Sequence, residues 1–308
     1  MPGLATWDYV RRGGVNVAAQ NVGLVDVDSK IPNLALMKLS AYHKAMGDDV
    51  SFFDPMFSKP DKIYASKVFT YTDDYKYYPE GIEIIKGGTG YDINGSLPDE
   101  IESLCPDYSL YPNLDHSMGF LTRGCPRHCS WCFVPKKEGT IRPAGDIEDF
   151  LRHGTAILLD NNVLACEHGI RQIEKIAKLG VKVDFNQGLD ARLIDDSVAR
   201  LLAGVKWLEP VRLACDTREM IPVVHRAVEL LRWHNVTPRR YSCYVLLTDD
   251  IDDALDRIRF LKGLNVGPFV QPFIPPSGKT APKIQRQMAR WANHRAVFNS
   301  TTWEDYTG

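Results

Sequence analysis

No uninterrupted apolar stretch approaches the roughly 20 residues that a helix needs to cross a bilayer, so no membrane span is expected. The N-terminus lacks a basic segment followed by an apolar run, and no secretory signal is predicted. A strong net charge is also missing. Lys and Arg number 37 against 39 Asp and Glu, a formal charge of −2, so bulk electrostatics point to neither nucleic acid nor membrane. Cysteine is scarce for a disulfide-stapled protein: there are seven, an odd number, and three stand close together. That pattern excludes a secreted disulfide framework and predicts a cytoplasmic, reducing location. A second cysteine cluster is absent. Cys105, Cys166, Cys215 and Cys243 are scattered singly and read as buried thiols. Composition is otherwise ordinary, and 308 residues leave room for two domains or one large α/β domain.

What is present is concentrated in Thr122-Arg-Gly-Cys125-Pro-Arg-His-Cys129-Ser-Trp-Cys132-Phe133, where three cysteines fall within eight residues as C-x3-C-x2-C. Three thiolates on one tight loop can hold three irons of a [4Fe–4S] cluster and leave the fourth without a protein ligand. An open metal position is where an exogenous ligand binds and reacts. Gly124 and Pro126 suit a loop folded around a compact metal centre. A zinc ion with one distant ligand, or three unpaired core thiols, are the alternatives.

This stretch resembles the signature of the radical S-adenosylmethionine (radical SAM) superfamily, C-x3-C-x-aromatic-C, with Trp131 in the aromatic slot before Cys132. The resemblance implies a [4Fe–4S] cluster on Cys125, Cys129 and Cys132, with SAM chelating the open iron and Trp131 packing near its adenine. It implies reductive cleavage of SAM to a 5′-deoxyadenosyl radical, hydrogen abstraction from an unknown substrate, and an electron donor such as flavodoxin or ferredoxin.

Taken in order, Val22–Val27 is an apolar run of the kind that forms a buried parallel strand. Residues 33–45 carry apolar side chains at helical spacing, with Pro32 before them and Gly47 after. His43 falls within that helix and is expected as a surface or capping residue. Short strands follow at 50–53, 62–65 and 82–85. This strand–helix–strand rhythm predicts a small parallel α/β domain. Arg11-Arg12-Gly13-Gly14 ahead of it reads as a loose extension. The turn Gly87-Gly-Thr-Gly90 is either a phosphate cradle or a tight turn leaving a strand. Together with Pro106-Asp-Tyr, it makes this half resemble the N-terminal cobalamin-binding-like (Rossmann) domain of some radical SAM enzymes, so that the resemblance covers residues 22–274. The D-x-H-x-x-G motif that gives cobalt a histidine is absent. Three options stay open: cobalamin without a protein ligand, another ligand, or a purely structural module. Methyl transfer follows only if cobalamin is bound.

From Met118 the strand and helix patterns alternate six times, with strands at 118–123, 156–160, 181–185, 211–215, 241–247 and 266–270. Helices are expected at 167–179, 197–203, 220–233 and 251–261. The expected architecture is therefore α/β: a Rossmann-like domain with its extension over 1–110, a partial (β/α)6 TIM-type barrel over 111–274, and a basic tail or helix over 275–308. In such barrels the functional groups stand at the C-terminal ends of the strands.

Strand two ends in Asp160-Asn161-Asn162, available to an ammonium group or to helix capping. The family usually has G-G-E there and places SAM's amino group against it. Strand three ends near Asp190 and Arg192; Arg192 can pair with a carboxylate of SAM or of the substrate, or the two residues can equally bond each other or solvent. Strand four ends in Asp216-Thr217, where relatives carry Glu-Ser beside SAM. Both residues can bond ribose hydroxyls, and Thr217 can equally cap the next helix. Thr248 or Asp249 can cap the fifth helix, and Gln271 offers a weak substrate contact. From Lys279 to Arg295 there are five basic residues and no acidic one, while Met288 and Trp291 have helical spacing. That segment is either a solvated face or a guide for an anionic substrate such as RNA. The leading expectation is a radical SAM enzyme of unknown reaction. The rival is a non-catalytic metal-binding module that recognises nucleic acid.

Overall fold

The computed structural model describes residues 18–208, 210–236, 240–275 and 280–308. The Arg11–Gly14 extension and Pro276–Lys279 of the Pro-rich stretch lie outside them. The chain separates into two compact units. One is Met1–Met118 with Glu148–Phe150, and the other is Gly119–Ile147, Leu151–Pro275 and the C-terminal segment to Gly308.

The first unit is built on a four-stranded parallel sheet. Its strands are β1 (Asn21–Asp26), β2 (Asp49–Phe52), β3 (Lys62–Ser66) and β4 (Glu83–Gly87), in the order β2-β1-β3-β4. The helix Leu34–Ala45 connects β1 to β2; Asn33 caps it by accepting from the Leu36 N–H at 3.2 Å. Leu36, Met37 and Leu39 are completely buried against Val22, Leu24 and Val50. Burying each such side chain contributes about 1.5–3 kcal/mol. The opposite face of the sheet is covered by Phe53, Tyr75, Tyr78 and Tyr91.

His43 departs from the sequence expectation. It lies on the buried stripe of its helix, seven residues after Leu36, and is 5 % exposed. Its Nδ1 lies 2.8 Å from Asp48 Oδ2 and its Nε2 3.0 Å from the Tyr64 hydroxyl. The imidazole is a satisfied core group. The Gly-rich turn also acquires a local cause. Gly88 has φ +92°, and a Cβ there would stand 2.5 Å from the Lys67 carbonyl oxygen. At Gly90 it would meet Lys67 and Phe69 at 2.8 Å. The glycines let this turn close against the chain's own backbone.

The second unit carries two sheets. Strand β5 (Ser117–Gly119) lies where the chain passes from the first unit to the second; β8 (Thr155–Leu158), β9 (Lys182–Phe185) and β10 (Lys206–Trp207) form one sheet, in the order β10-β9-β8. The β8, β9 and β10 pairings are parallel. Strands β11 (Val211–Ala214), β12 (Tyr241–Leu247) and β13 (Gly267–Pro272) form a second parallel sheet in chain order. Helices Glu167–Leu179, Asp196–Ala203, Met220–Trp233 and Ile251–Gly263 follow β8, β9, β11 and β12. Their inward residues, among them Ile173, Ile176, Leu202, Val224, Leu231 and Ile258, are all fully buried.

The predicted strand 118–123 is broken. After β5 the chain turns, and Thr122–Arg123 (β6) pairs antiparallel with Arg142–Pro143 (β7). A buried carboxylate explains the break. Asp160, at the end of β8, accepts from the Leu121 N–H at 3.1 Å, the Thr122 N–H at 2.5 Å and the Thr122 hydroxyl at 2.7 Å. Those N–H groups are thereby satisfied without a neighbouring strand.

The basic segment is a helix, Lys283–Asn293, packed in this unit through Met288, Trp291 and Ala292. Asn293 both accepts from the Val270 N–H and donates to the Val270 carbonyl, tying the helix to β13. Lys283, Arg286 and Arg290 point to solvent, and Lys279 lies outside the described residues. Among the described residues no helix is long and apolar enough to cross a membrane.

Candidate functional site

The cysteine loop begins and ends at the short β6–β7 ribbon. Gly124 has φ +83°, and a Cβ there would sit 2.3 Å from the Thr140 carbonyl oxygen, so the two arms of the loop meet at van der Waals distance only with glycine. The Cys125 N–H donates to the Gly139 carbonyl at 3.3 Å, and the Cys132 N–H to the Cys129 carbonyl at 3.0 Å. Cys125 and Cys129 are partly buried and Cys132 is exposed. All seven cysteines are free thiols. Trp131 is half-buried and the neighbouring Phe133 is 48 % exposed.

Three strand ends converge on this loop. Asn162, after β8, is 4 % exposed. Its amide nitrogen lies 3.5 Å from Cys125 Sγ and 3.2 Å from Asp190 Oδ2, while its Oδ1 is buried with no hydrogen-bond partner among the described residues. Asp190, after β9, accepts from Arg127 Nε at 3.0 Å and from Arg192 Nε and NH2 at 2.6 and 3.1 Å. Burial works against the Asp190 charge, but Arg192 and then Arg127 outweigh it and hold this carboxyl below its ordinary pKa. Burial likewise opposes the Arg192 charge. Asp190, followed by Cys129 and Cys125, raises its pKa despite that, so a cation stands beside two of the thiols. Asp216, after β11, has its pKa raised by burial, an effect partly offset by the Leu246 N–H at 2.9 Å and by Arg257 and Arg192.

The remaining expected site residues have local partners. Asp160 is committed to Leu121 and Thr122 as described, and burial pushes its pKa up to about 6 against those hydrogen bonds. Asn161 donates to Glu138 Oε2 at 2.8 Å. The Thr217 side chain hydrogen-bonds the Glu219 carboxylate, and its carbonyl accepts from the Met220 N–H. Helix Ile251–Gly263 is capped by Asp250, which accepts from the Asp253 N–H at 2.9 Å; the Thr248 carbonyl accepts from Gln285, and Gln271 is exposed.

Three residues that carry this arrangement were not singled out in the sequence. Glu138 closes the cysteine loop, Arg127 reaches from within it to Asp190, and Arg257 joins the ends of β11 and β12. Arg257 is 1 % exposed and donates to the Cys215 and Leu246 carbonyls and to Asp253. Each is an ordinary charged residue at unremarkable spacing, and its role exists only once distant segments meet.

Among the described residues no three His, Cys, Asp or Glu side chains converge on a single ion. The cysteines of an iron–sulfur cluster each bind a different iron, so they do not converge on one point as zinc ligands do. The donor chemistry fits such a cluster. Thiolate is the ligand iron–sulfur centres take, and three cysteines stand on this one loop. Asn162 supplies an N–H to sulfur and an unpartnered acceptor beside it.

No protein-family model and no curated protein matches the chain. Solved structures do, among them cobalamin-dependent S-adenosylmethionine radical enzyme OxsB with aqua-cobalamin and S-adenosylmethionine bound, and the same enzyme with aqua-cobalamin bound. Both superpose with a TM-score of 0.54, at 12 % and 11 % sequence identity, over 91 % of this chain. The chain shares the fold of a radical SAM enzyme. It spans 56 % of the length of those structures. The likeness covers a mixed α/β chain with parallel sheets and extends across both units.

Proposed function

We propose that this chain is a radical SAM enzyme that holds a [4Fe–4S] cluster through Cys125, Cys129 and Cys132 and modifies a substrate by hydrogen abstraction. One observation carries the reading. The three cysteines occupy a single pinned loop toward which Asn162, Asp190 and Arg192 are drawn, at the C-terminal ends of successive parallel strands. In this reading the six strands β5, β8, β9, β11, β12 and β13 are an open (β/α)6 barrel, and the first unit is a Rossmann-like module.

Bound together, the cluster and SAM supply an electron and a cleavable sulfonium bond, the source of a 5′-deoxyadenosyl radical. The chain's own residues position and shield. Arg127 and Arg192 bracket Asp190 and offset the negative charge of the thiolates. Asn162 Oδ1 offers a desolvated acceptor to an ammonium donor, the polarity of SAM's amino group. Trp131 contributes an aromatic wall on the loop. Asp216 keeps one oxygen beyond the Leu246 N–H for a ribose hydroxyl. Asp160, Asn161 and Thr217 act one step back, holding backbone and loop. A reductant such as flavodoxin or ferredoxin would reach the exposed Cys132 side of the loop, and a reducing compartment keeps that thiol available.

Cobalamin belongs to the structural relatives. Here the first unit has no D-x-H-x-x-G motif, and the Gly88 turn is closed against Lys67. The unit thus offers cobalt no histidine of that motif, and the proposed reaction does not draw on methyl transfer.

The test is anaerobic reconstitution with iron and sulfide, then SAM and dithionite, with 5′-deoxyadenosine read by mass spectrometry. Product that disappears in Cys129→Ala is the expected result. A colourless protein holding one zinc would overturn the reading and support a metal-binding module, to which the exposed Lys283, Arg286 and Arg290 would add an anionic partner. A full cluster that yields no product would also overturn it.

A further inference from the structure

We infer that Glu138 is a positioning residue that locks the cysteine loop to the turn after β8, and so sets both how firmly the cluster is held and where SAM meets it. The inference rests on the cluster reading above.

Glu138 stands at the far end of the loop, just before Gly139, and its side chain is only 12 % exposed. Its carboxylate makes three bonds to two segments. Oε1 accepts from Arg123 NH1 at 3.0 Å. Oε2 accepts from the Gly124 N–H at 3.0 Å and from Asn161 Nδ2 at 2.8 Å. Its backbone carbonyl accepts from Arg142 NH1 at 2.6 Å. Arg123 is held further by its guanidinium stacking 3.4 Å above the centre of the Phe120 ring. One carboxylate thus touches the residue before the first cysteine and the middle residue of Asp160-Asn161-Asn162, whose third member contacts Cys125 Sγ.

The physical consequence follows from what lies between. The 15 residues from Gly124 to Glu138 carry all three cysteines and include only one short helix, Val134–Glu138. A loop of that length has many conformations unless its ends are tied. A cluster held by three thiolates demands that they keep fixed relative positions, and the tie supplies this at the loop's base. Charge-assisted bonds to a largely desolvated carboxylate are the strong kind, roughly twice a neutral bond. Since Asn161 shares Oε2 with Gly124, a shift of the loop also moves the β8 turn, where Asn162 offers its acceptor.

The experiment uses full-length, anaerobically reconstituted protein as wild type, Glu138→Gln, Glu138→Ala and Cys129→Ala. Three quantities are read: iron and sulfide per chain, the rate of iron release to a chelator, and the change in the reduced cluster's EPR signal on adding SAM. Wild type is expected to hold about four irons and four sulfides. Glu138→Ala should release iron at least about tenfold faster, the factor that loss of one charge-assisted hydrogen bond amounts to. It should also lose most of the SAM-induced EPR change. Glu138→Gln keeps one oxygen for Gly124 and Asn161, which share Oε2, but turns its NH2 group toward the Arg123 guanidinium. It should release iron faster than wild type yet keep most of the SAM response, a split that a merely structural residue would not produce. Glu138→Gln also stands in if the alanine variant fails to fold. Wild-type release rates and a full SAM response in both variants would overturn the inference while leaving the cluster reading intact. A wild type that takes up no iron and sulfide would overturn the cluster reading itself.

Discussion

Asp160 offers a sharp test of the buried architecture, because its two opposing effects can be separated by pH. Its carboxylate is 3 % exposed and accepts from two backbone N–H groups and one hydroxyl. Hydrogen bonds favour the charged form and desolvation opposes it; desolvation wins and pushes the pKa from 3.8 up to about 6. The folded state therefore binds a proton that the unfolded chain has already released. The associated stability is fully present below the unfolded pKa and is lost as pH rises through about 6. A shift of about two units corresponds to ~3 kcal/mol.

The perturbation is Asp160→Asn, which keeps the shape and removes the titration. Near pH 4 both side chains are neutral, and the variant should be less stable by at most ~1 kcal/mol, because its NH2 group at the Oδ2 position faces the Leu121 N–H. By pH 7.5 the wild type carries the cost of the buried charge. The gap should then close or reverse, a swing of ~3 kcal/mol. Urea titrations from pH 4 to 7.5 would show it as a crossing of midpoints at constant slope. The difference between the two proteins cancels the other titrating groups. A gap that stays constant, or widens with pH, would refute the dominance of desolvation and make Asp160 a carboxylate stabilised by its donors.

Asp190→Asn should cost ~1–2 kcal/mol in urea unfolding of the apo-protein. That is below the ~3–5 of a fully buried pair, since Arg127 and Arg192 are 34 % and 38 % exposed. Its depressed pKa means this contribution is present at neutral pH and is lost as pH falls below the unfolded value near 3.8, so the deficit of the variant should shrink in acid. Arg257→Met should be destabilising by at least ~3 kcal/mol, since it strands the Cys215 and Leu246 carbonyls and leaves Asp253 without its buried partner; a midpoint of chemical unfolding near wild type would contradict the bridge. Gly88→Ala should lower stability by ~1–3 kcal/mol, because it places a methyl group against the Lys67 carbonyl at a left-handed φ. A thermal melt unchanged by that substitution would return the turn to a ligand-binding role.

Local patterns were legible in the chain. The helices 167–179 and 220–233 occur over the residues that periodicity assigns them, because a 3.6-residue stripe of apolar side chains needs no knowledge of its partner. The four strands of the first unit were readable for a similar reason, as short apolar runs between breakers. The strand 118–123 was not, since the group that ends it, Asp160, arrives from almost forty residues away. His43 failed in the same way: its neighbours Asp48 and Tyr64 come from the following loop and from β3.

The sequence by itself determined the cysteine spacing, the aromatic before Cys132 and the alternation of strands and helices, all properties of adjacent residues. Only the tertiary structure decided which partners the polar residues take. Asp160 and Thr217 turned to backbone and helix. Asp190, read as equally able to bond solvent or Arg192, became the shared partner of two arginines. Glu138 emerged from the featureless run Lys136-Lys-Glu-Gly139 as the tie at the base of the loop. A carboxylate has many potential partners along a chain. Which one it takes depends on the few donors that folding brings within 3 Å, and that distance is not written in any local pattern.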